Sequence, residues 1–143
     1  MERESQRLLE SVMKLIAAQF GPDCEVVLHD WSKDYESTIV AIENGHVSGR
    51  KVGDGGSNLG LEVMRGTTDG SNQLNYITQT QDGRMLRSSS LYLTDEKGNK
   101  VGALCINLDT TKVTEQIAFL QSFLPAAPQS AGKAEEEPAS TPA

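Results

Sequence analysis

From Leu74 to Asp109 the chain reads LNYITQTQDGRMLRSSSLYLTDEKGNKVGALCINLD. Three runs rich in aliphatic, aromatic and β-branched residues stand out: Leu74–Gln79, Met85–Thr94 and Val101–Asp109. The links between them, QDGR and DEKGNK, are polar, short and contain glycine. Links of that length join antiparallel neighbours, because a parallel crossover needs about a dozen residues or more. The spacing therefore predicts a three-stranded antiparallel meander.

Upstream, CEVVLHD (Cys24–Asp30) and TIVAIE (Thr38–Glu43) are brief, β-branched runs around the polar link SKDYES. They read as a hairpin, and the economical place for it is beside the meander, giving five strands. Before them, Leu8, Val12, Leu15 and Ile16 form one helical row, with Leu9, Met13 and Phe20 beside it. Gly21-Pro22 stops that helix. Asn58–Arg65 reads as a short helix, followed by the loop TTDGSNQ. After the meander, Asp109, Thr110 or Thr111 can cap a last helix whose face is Val113, Ile117, Leu120 and Leu124; Pro125 ends it. The order α-β-β-α-β-β-β-α implies an α+β domain, a five-stranded antiparallel sheet with flanking helices.

The chain has 143 residues, about one domain's worth. Residues 1–124 are assigned to the domain. The stretch 125–143 (PAAPQSAGKAEEEPASTPA) has no large apolar residue and cannot bury enough surface to offset ordering, so it is expected to be a disordered low-complexity tail. With 13 basic and 20 acidic residues the net charge is −7, the wrong sign for direct nucleic-acid binding. There is no membrane-length apolar run and no signal-peptide pattern, and a cytoplasmic location is expected. Cys24 and Cys105 are then expected as free thiols. Two His and two Cys, scattered along the chain, make no metal pattern.

Several phrases resemble one family closely. They are Gly21-Pro-Asp-Cys-Glu-Val-Val-Leu-His-Asp30, Ile39-Val-Ala-Ile42, Asn44-Gly-His-Val-Ser-Gly-Arg-Lys-Val-Gly53, Gly83-Arg84 with Leu86-Arg-Ser-Ser89, and Gly102-Ala-Leu-Cys-Ile-Asn107 with Asp109. Collinear from residue 8 to about 111, they look like the YheO-like PAS domain of bacterial transcriptional regulators. The resemblance implies a PAS/profilin-like fold whose domain senses a small molecule and, in the family, passes the signal to a C-terminal helix-turn-helix; it also implies a sheet that sets the strands of Cys24 and Cys105 side by side, as near neighbours. Residues 125–143 depart from that pattern: they offer no room for a helix-turn-helix. A fragment or a solitary sensor domain is expected.

The glycine-rich segment from Asn44 to Asn58 does not make a phosphate loop. Gly45 and Gly49 are one residue too close, and Val52 follows Lys51 where Ser or Thr is required. GDGGSN has Asn58 in place of the last glycine of a dinucleotide motif, so no cofactor is expected. Cys105, Asn107 and Asp109 share a strand face with Val101 and Ala103, and Ser88 and Ser90 repeat the small, polar character on the strand before. A pocket with a few convergent polar groups looks like this; so does the wet side of a half-exposed sheet. Arg50 can hold a ligand carboxylate or be solvated surface; because it lies on a loop, its loss is expected to cost little stability yet weaken binding. Asp30, Glu43 and Asp109 can hold an amine if they converge. His29 and Asp30, adjacent on a strand, point to opposite faces.

The candidate ligand-binding residues are thus His29, Asp30, Asn44, His46, Arg50, Ser88, Cys105 and Asn107. They lie between the sheet and the glycine-rich segment. The expected function is sensing of a small polar metabolite, an amino acid being one candidate, with the last strand feeding the signal into the C-terminal helix. Homodimerisation through the terminal helices is expected. The alternatives are a solitary dimerisation or adaptor module without ligand, and a small enzyme using His29 and Cys105. No catalytic residue is assigned.

Overall fold

The computed structural model describes residues 1–56, 71–126 and 140–143. The helix expected at Asn58–Arg65 lies outside them. Helix α1 (Arg3–Phe20) has no internal glycine or proline and ends at Gly21, whose φ of +88° lets its N–H reach the Ala17 carbonyl at 2.9 Å. Strands β1 (Cys24–Asp30), β2 (Ile39–Glu43), β3 (Gln73–Gln79), β4 (Met85–Thr94) and β5 (Lys100–Asp109) follow, and helix α2 covers Thr111–Gln121.

The five strands form one sheet in the order β2-β1-β5-β4-β3, every pair antiparallel. The meander is β3-β4-β5, and the hairpin β1-β2 joins it through β1 against β5. β1 is buried along its whole length, its polar residues Glu25, His29 and Asp30 included.

The two faces differ. On one, Met13 and Ala17 of α1 pack against Cys24, Val26, Leu28 and Ala41. On the other, Val27, Ile39, Tyr92, Ala103 and Cys105 form a second cluster with Trp31 and Tyr76 against it. Register explains the split. Val27 pairs with Cys105 and Cys24 with Leu108, so the two cysteines face opposite sides of the sheet. Both are buried free thiols, but they are not the neighbours that adjacent strands alone suggested.

α2 is capped by Asp109, whose Oδ1 accepts from the Thr111 N–H at 2.9 Å and from the Thr111 hydroxyl at 2.6 Å. None of its residues is buried. The apolar row Val113, Ile117, Leu120 and Leu124 is left exposed, as are Leu8 and Leu15 on α1. α1 thus covers the sheet while α2 leaves it. No helix among the described residues is long and apolar enough to cross a membrane.

Candidate functional site

The face opposite α1 carries rows of side chains set by strand register. Glu25 of β1 pairs with Asn107 of β5, and Asn107 with Ser88 of β4. The next row is Val27, Cys105 and Ser90; the third is His29, Ala103 and Tyr92. The first row is polar and fully buried. Such groups are costly unless paired, and here they are paired with one another. The Asn107 amide donates to Glu25 Oε1 at 2.9 Å, and the Ser88 hydroxyl donates to Asn107 Oδ1 at 2.6 Å. Ser88 also meets the Thr78 hydroxyl at 2.8 Å.

Glu25 is the hub. Its side chain has 0 % exposure, and Arg50 pairs with its Oε1 at 3.1 Å. Its Oε2 accepts from the Ser48 N–H at 3.0 Å and the Ser48 hydroxyl at 2.5 Å. Arg50 and Ser48 come from the glycine-rich segment after β2, which explains the glycines. A Cβ on Gly45 would stand 2.6 Å from the Arg50 carbonyl, and one on Gly55 2.9 Å from the Tyr35 carbonyl. Only glycine lets this segment fold that tightly over the sheet.

Beyond the polar row lies a small cavity lined by His29, Trp31, Tyr35, Gly56, Ser90, Tyr92, Ala103, Cys105 and Ala143. Trp31 and Tyr92 stand 5.8 Å apart between ring centres. The lining is largely apolar, with Arg50 and Asn107 at its polar end. Composition alone puts all of 125–143 outside the fold. Residues 127–139 are not among those described, but Ser140–Ala143 are, and they are not free. Ser140 bridges Thr78 of β3, and Ala143 is buried at the cavity's polar end.

Of the eight residues expected at the site, His29, Arg50, Ser88, Cys105 and Asn107 converge here. The other three do not. Asp30 faces the α1 side, where it meets the Met1 amino group at 2.9 Å and Ser32. Burial opposes its ionisation, yet those hydrogen bonds hold its carboxyl below the ordinary value. Asn44, at φ +54°, uses its amide to tie the Gly21 and Cys24 carbonyls, a clamp between the end of α1 and β1. His46 is exposed on the single turn of 3-10 helix at Gly45–Val47. Asp30, Glu43 and Asp109 do not converge either: Asp109 pairs with Arg84 at 2.5 Å.

Sequence reasoning missed Glu25, Ser48, Trp31, Tyr35 and Tyr92. Glu25 had a readable signal, being a charge set between Cys24 and Val26 inside a central strand and two residues from Val27 on the same face. Trp31 and Tyr35 had another: two aromatics at a polar link in a chain with only 5 % aromatics.

Burial shifts two titratable groups of the cavity toward their neutral forms. Burial, helped by the Arg50 charge, pushes the His29 imidazole down to about 3. Its Nδ1 lies 2.9 Å from the Thr38 hydroxyl. Burial also pushes the Cys105 thiol up to about 11, against the opposing pull of Ser90 and Arg50. A weak base beside an un-ionised thiol is the reverse of an activated nucleophile pair.

A pH effect follows from His29. The unfolded imidazole takes up a proton as pH falls through 6.5, whereas the folded one resists until about 3. Stability from this group is therefore complete above pH 6.5 and is lost as pH falls. Between pH 6.5 and 5 the loss amounts to about 2 kcal/mol at most. Urea unfolding should show the parent losing about that much more than His29→Gln over this range; superimposable pH profiles would contradict it.

The YheO-like PAS domain family matches residues 2–125. The chain belongs to the YheO-like PAS domain family. Among its relatives, the transcriptional regulator DauR of Pseudomonas aeruginosa is 36 % identical over 110 residues, 76 % of this chain and 49 % of DauR. The uncharacterised protein YheO of Escherichia coli K12 is 28 % identical over 118 residues, 81 % of this chain and 48 % of YheO. This YheO-like domain thus spans about half the length of the curated relatives it matches. Among solved structures, the dark state of the blue-light photoreceptor Aureochrome1 LOV aligns over 77 % of this chain and 92 % of that one, with a TM-score of 0.45 and 18 % identity.

Proposed function

We propose that this PAS domain senses a small polar molecule in the chamber between the sheet and the Asn44–Gly56 segment, as part of transcriptional control of the kind DauR's name describes. The observation that carries the reading is the buried Glu25–Asn107–Ser88 row, completed by Arg50 and opening into an aromatic-walled cavity. A core built for stability alone would place aliphatics there. The shifts of His29 and Cys105 favour binding over catalysis.

The signal has a physical route. Arg84, in the β3–β4 turn, donates to the Val47 carbonyl at 2.6 Å and to Asp109 Oδ2 at 2.5 Å. Val47 adjoins Ser48 of the chamber's polar network, and Asp109 caps α2. A ligand that moves the Ser48–Arg50 segment thereby moves the start of α2. The ligand shifts the helix only by its differential affinity for the two arrangements. The exposed apolar rows of α1 and α2 suit a second copy of the domain, and two free thiols fit a reducing compartment such as the cytoplasm.

A metabolite thermal-shift screen tests the reading. A ligand at about a hundred times its Kd adds about 2.7 kcal/mol, several degrees of Tm. No stabilising compound in a broad polar set would argue for the ligand-free adaptor instead. With a hit in hand, Arg84→Gln should retain the Tm shift but lose ligand-dependent change in hydrogen exchange of the α2 amides. An unchanged exchange response in that variant would remove Arg84 from the route.

A further inference from the structure

Of Ser140–Ala143, the last residue enters the chamber: Ser140 and Thr141 are exposed, Pro142 is half-buried and Ala143 is buried against the cavity. The Gln79 N–H donates to the Ser140 carbonyl at 2.5 Å. Arg50 Nη1 donates to the Pro142 carbonyl at 3.3 Å, and Arg50 Nη2 to the Ala143 carbonyl oxygen. Asn107 reads Ala143 twice: its amide donates to the Ala143 oxygen at 2.7 Å, and its Oδ1 accepts the Ala143 N–H at 3.1 Å. The Ala143 methyl group sits in the cluster with Val27, Tyr92, Ala103 and Cys105. Two acyl oxygens and the N–H between them are all satisfied, and the side chain is enclosed.

The donor and acceptor count selects a class of molecule. Asn107 Oδ1 has two lone pairs, one taken by Ser88 and one by the Ala143 N–H. Both Glu25 oxygens are occupied, by Arg50 and Asn107 on one side and Ser48 on the other. Among the described residues of this polar row, one acceptor position is left for a ligand's nitrogen, the one the Ala143 N–H fills. An amide N–H matches it one for one. A free ammonium brings three donors to a row that offers that one acceptor, and a buried donor without a partner is costly.

We propose that the chamber recognises N-acyl derivatives of small amino acids, an amide N–H flanked by two acyl oxygens, and that Ser140–Ala143 are a tethered copy of this ligand competing for the same place. The proposal rests on the reading of the chamber as a sensing site and narrows its ligand. A tethered competitor has an effective concentration in the millimolar range, so displacing it should raise apparent affinity for a free ligand.

The test uses the full chain and Ala143→Trp, whose indole is too large for the space the methyl group occupies. Ala143→Glu, which would bury a carboxylate in the apolar cluster that holds the methyl group, serves as an independent displacing variant. The probe is N-acetyl-L-alanine, measured by titration calorimetry. Both variants should bind it at least about tenfold more tightly than the parent chain. L-alanine, and N-acetyl-N-methyl-L-alanine with no N–H to give Asn107, should each bind at least about tenfold more weakly than the probe. Equal binding of L-alanine and the probe would overturn the ligand class. Equal affinity of parent and both variants would overturn the tethered competitor. If the variants ignore the probe yet bind a thermal-shift hit that Cys105→Phe excludes, the ligand class falls and the sensing site stands. If they bind neither, both fall.

Discussion

Arg50→Ala should destabilise the domain by about 3 kcal/mol, although Arg50 sits on a loop. A solvated loop arginine would cost far less. The difference lies in its partner: Glu25 is fully buried on a central strand, and Arg50 is the cation against it. Removing one member of a buried pair leaves the other charge uncompensated, and that cost exceeds the worth of the pair itself. The lower end of the usual range applies, because Glu25 keeps its hydrogen bonds from Ser48 and Asn107 and the Arg50 side chain is 17 % exposed. Adding Glu25→Gln to Arg50→Ala should restore part of the loss, since it removes the stranded charge. Chemical denaturation of the two single variants and the double variant forms a cycle, and a coupling above about 1 kcal/mol is expected. Additive single effects would mean that the pair does not hold the segment to the sheet.

Cys105→Phe should abolish every ligand-induced rise in Tm while leaving a folded protein. Cys105 is buried at the centre of the chamber's inner wall, between Val27 on β1 and Ser90 on β4. A phenyl ring there fills the cavity and also takes the place of the Ala143 methyl group. Overpacking costs about 1–3 kcal/mol, so circular dichroism must first show native secondary structure. Cys105→Ser is the volume-matched partner: Ser90 is near enough to hydrogen-bond the Cys105 side chain, and the ligand response should survive. A folded Cys105→Phe protein that still answers to the same compound would place binding elsewhere on the surface.

The sheet was readable because link length dictates strand direction. QDGR and DEKGNK permit nothing but antiparallel neighbours, and the β1–β2 hairpin then has few places to go. The polar face of β4 and β5 was readable too, since strict alternation puts Ser88 and Ser90 with Cys105 and Asn107. What alternation cannot supply is register between distant strands. That is why Cys24 and Cys105 looked like neighbours: adjacent strands were foreseeable, but a register that pairs Cys105 with Val27, an odd number of residues along β1 from Cys24, was not. Asn44 and His46 were misplaced for a related reason. In a loop, side-chain direction depends on φ and ψ at each residue, and Asn44 in the left-handed region turns inward to the Gly21 carbonyl, away from the chamber. Arg50 was given too small a structural role, because its partner Glu25 is distant in sequence. The seating of Ser140–Ala143 had no compositional signal, since a small residue between Asn107 and an aromatic wall is a matter of fit.

The central claim is that a small molecule binds against the inner face of β1, β5 and β4. The chain's single tryptophan, Trp31, lines that cavity beside Tyr92, so its indole N–H resonance reports on the chamber directly. In a 1H–15N titration of the full chain with a stabilising compound, the account predicts a saturable shift of the indole and Asn107 side-chain amide signals at the Kd obtained from thermal shifts. A compound that raises Tm while both signals stay fixed would contradict it.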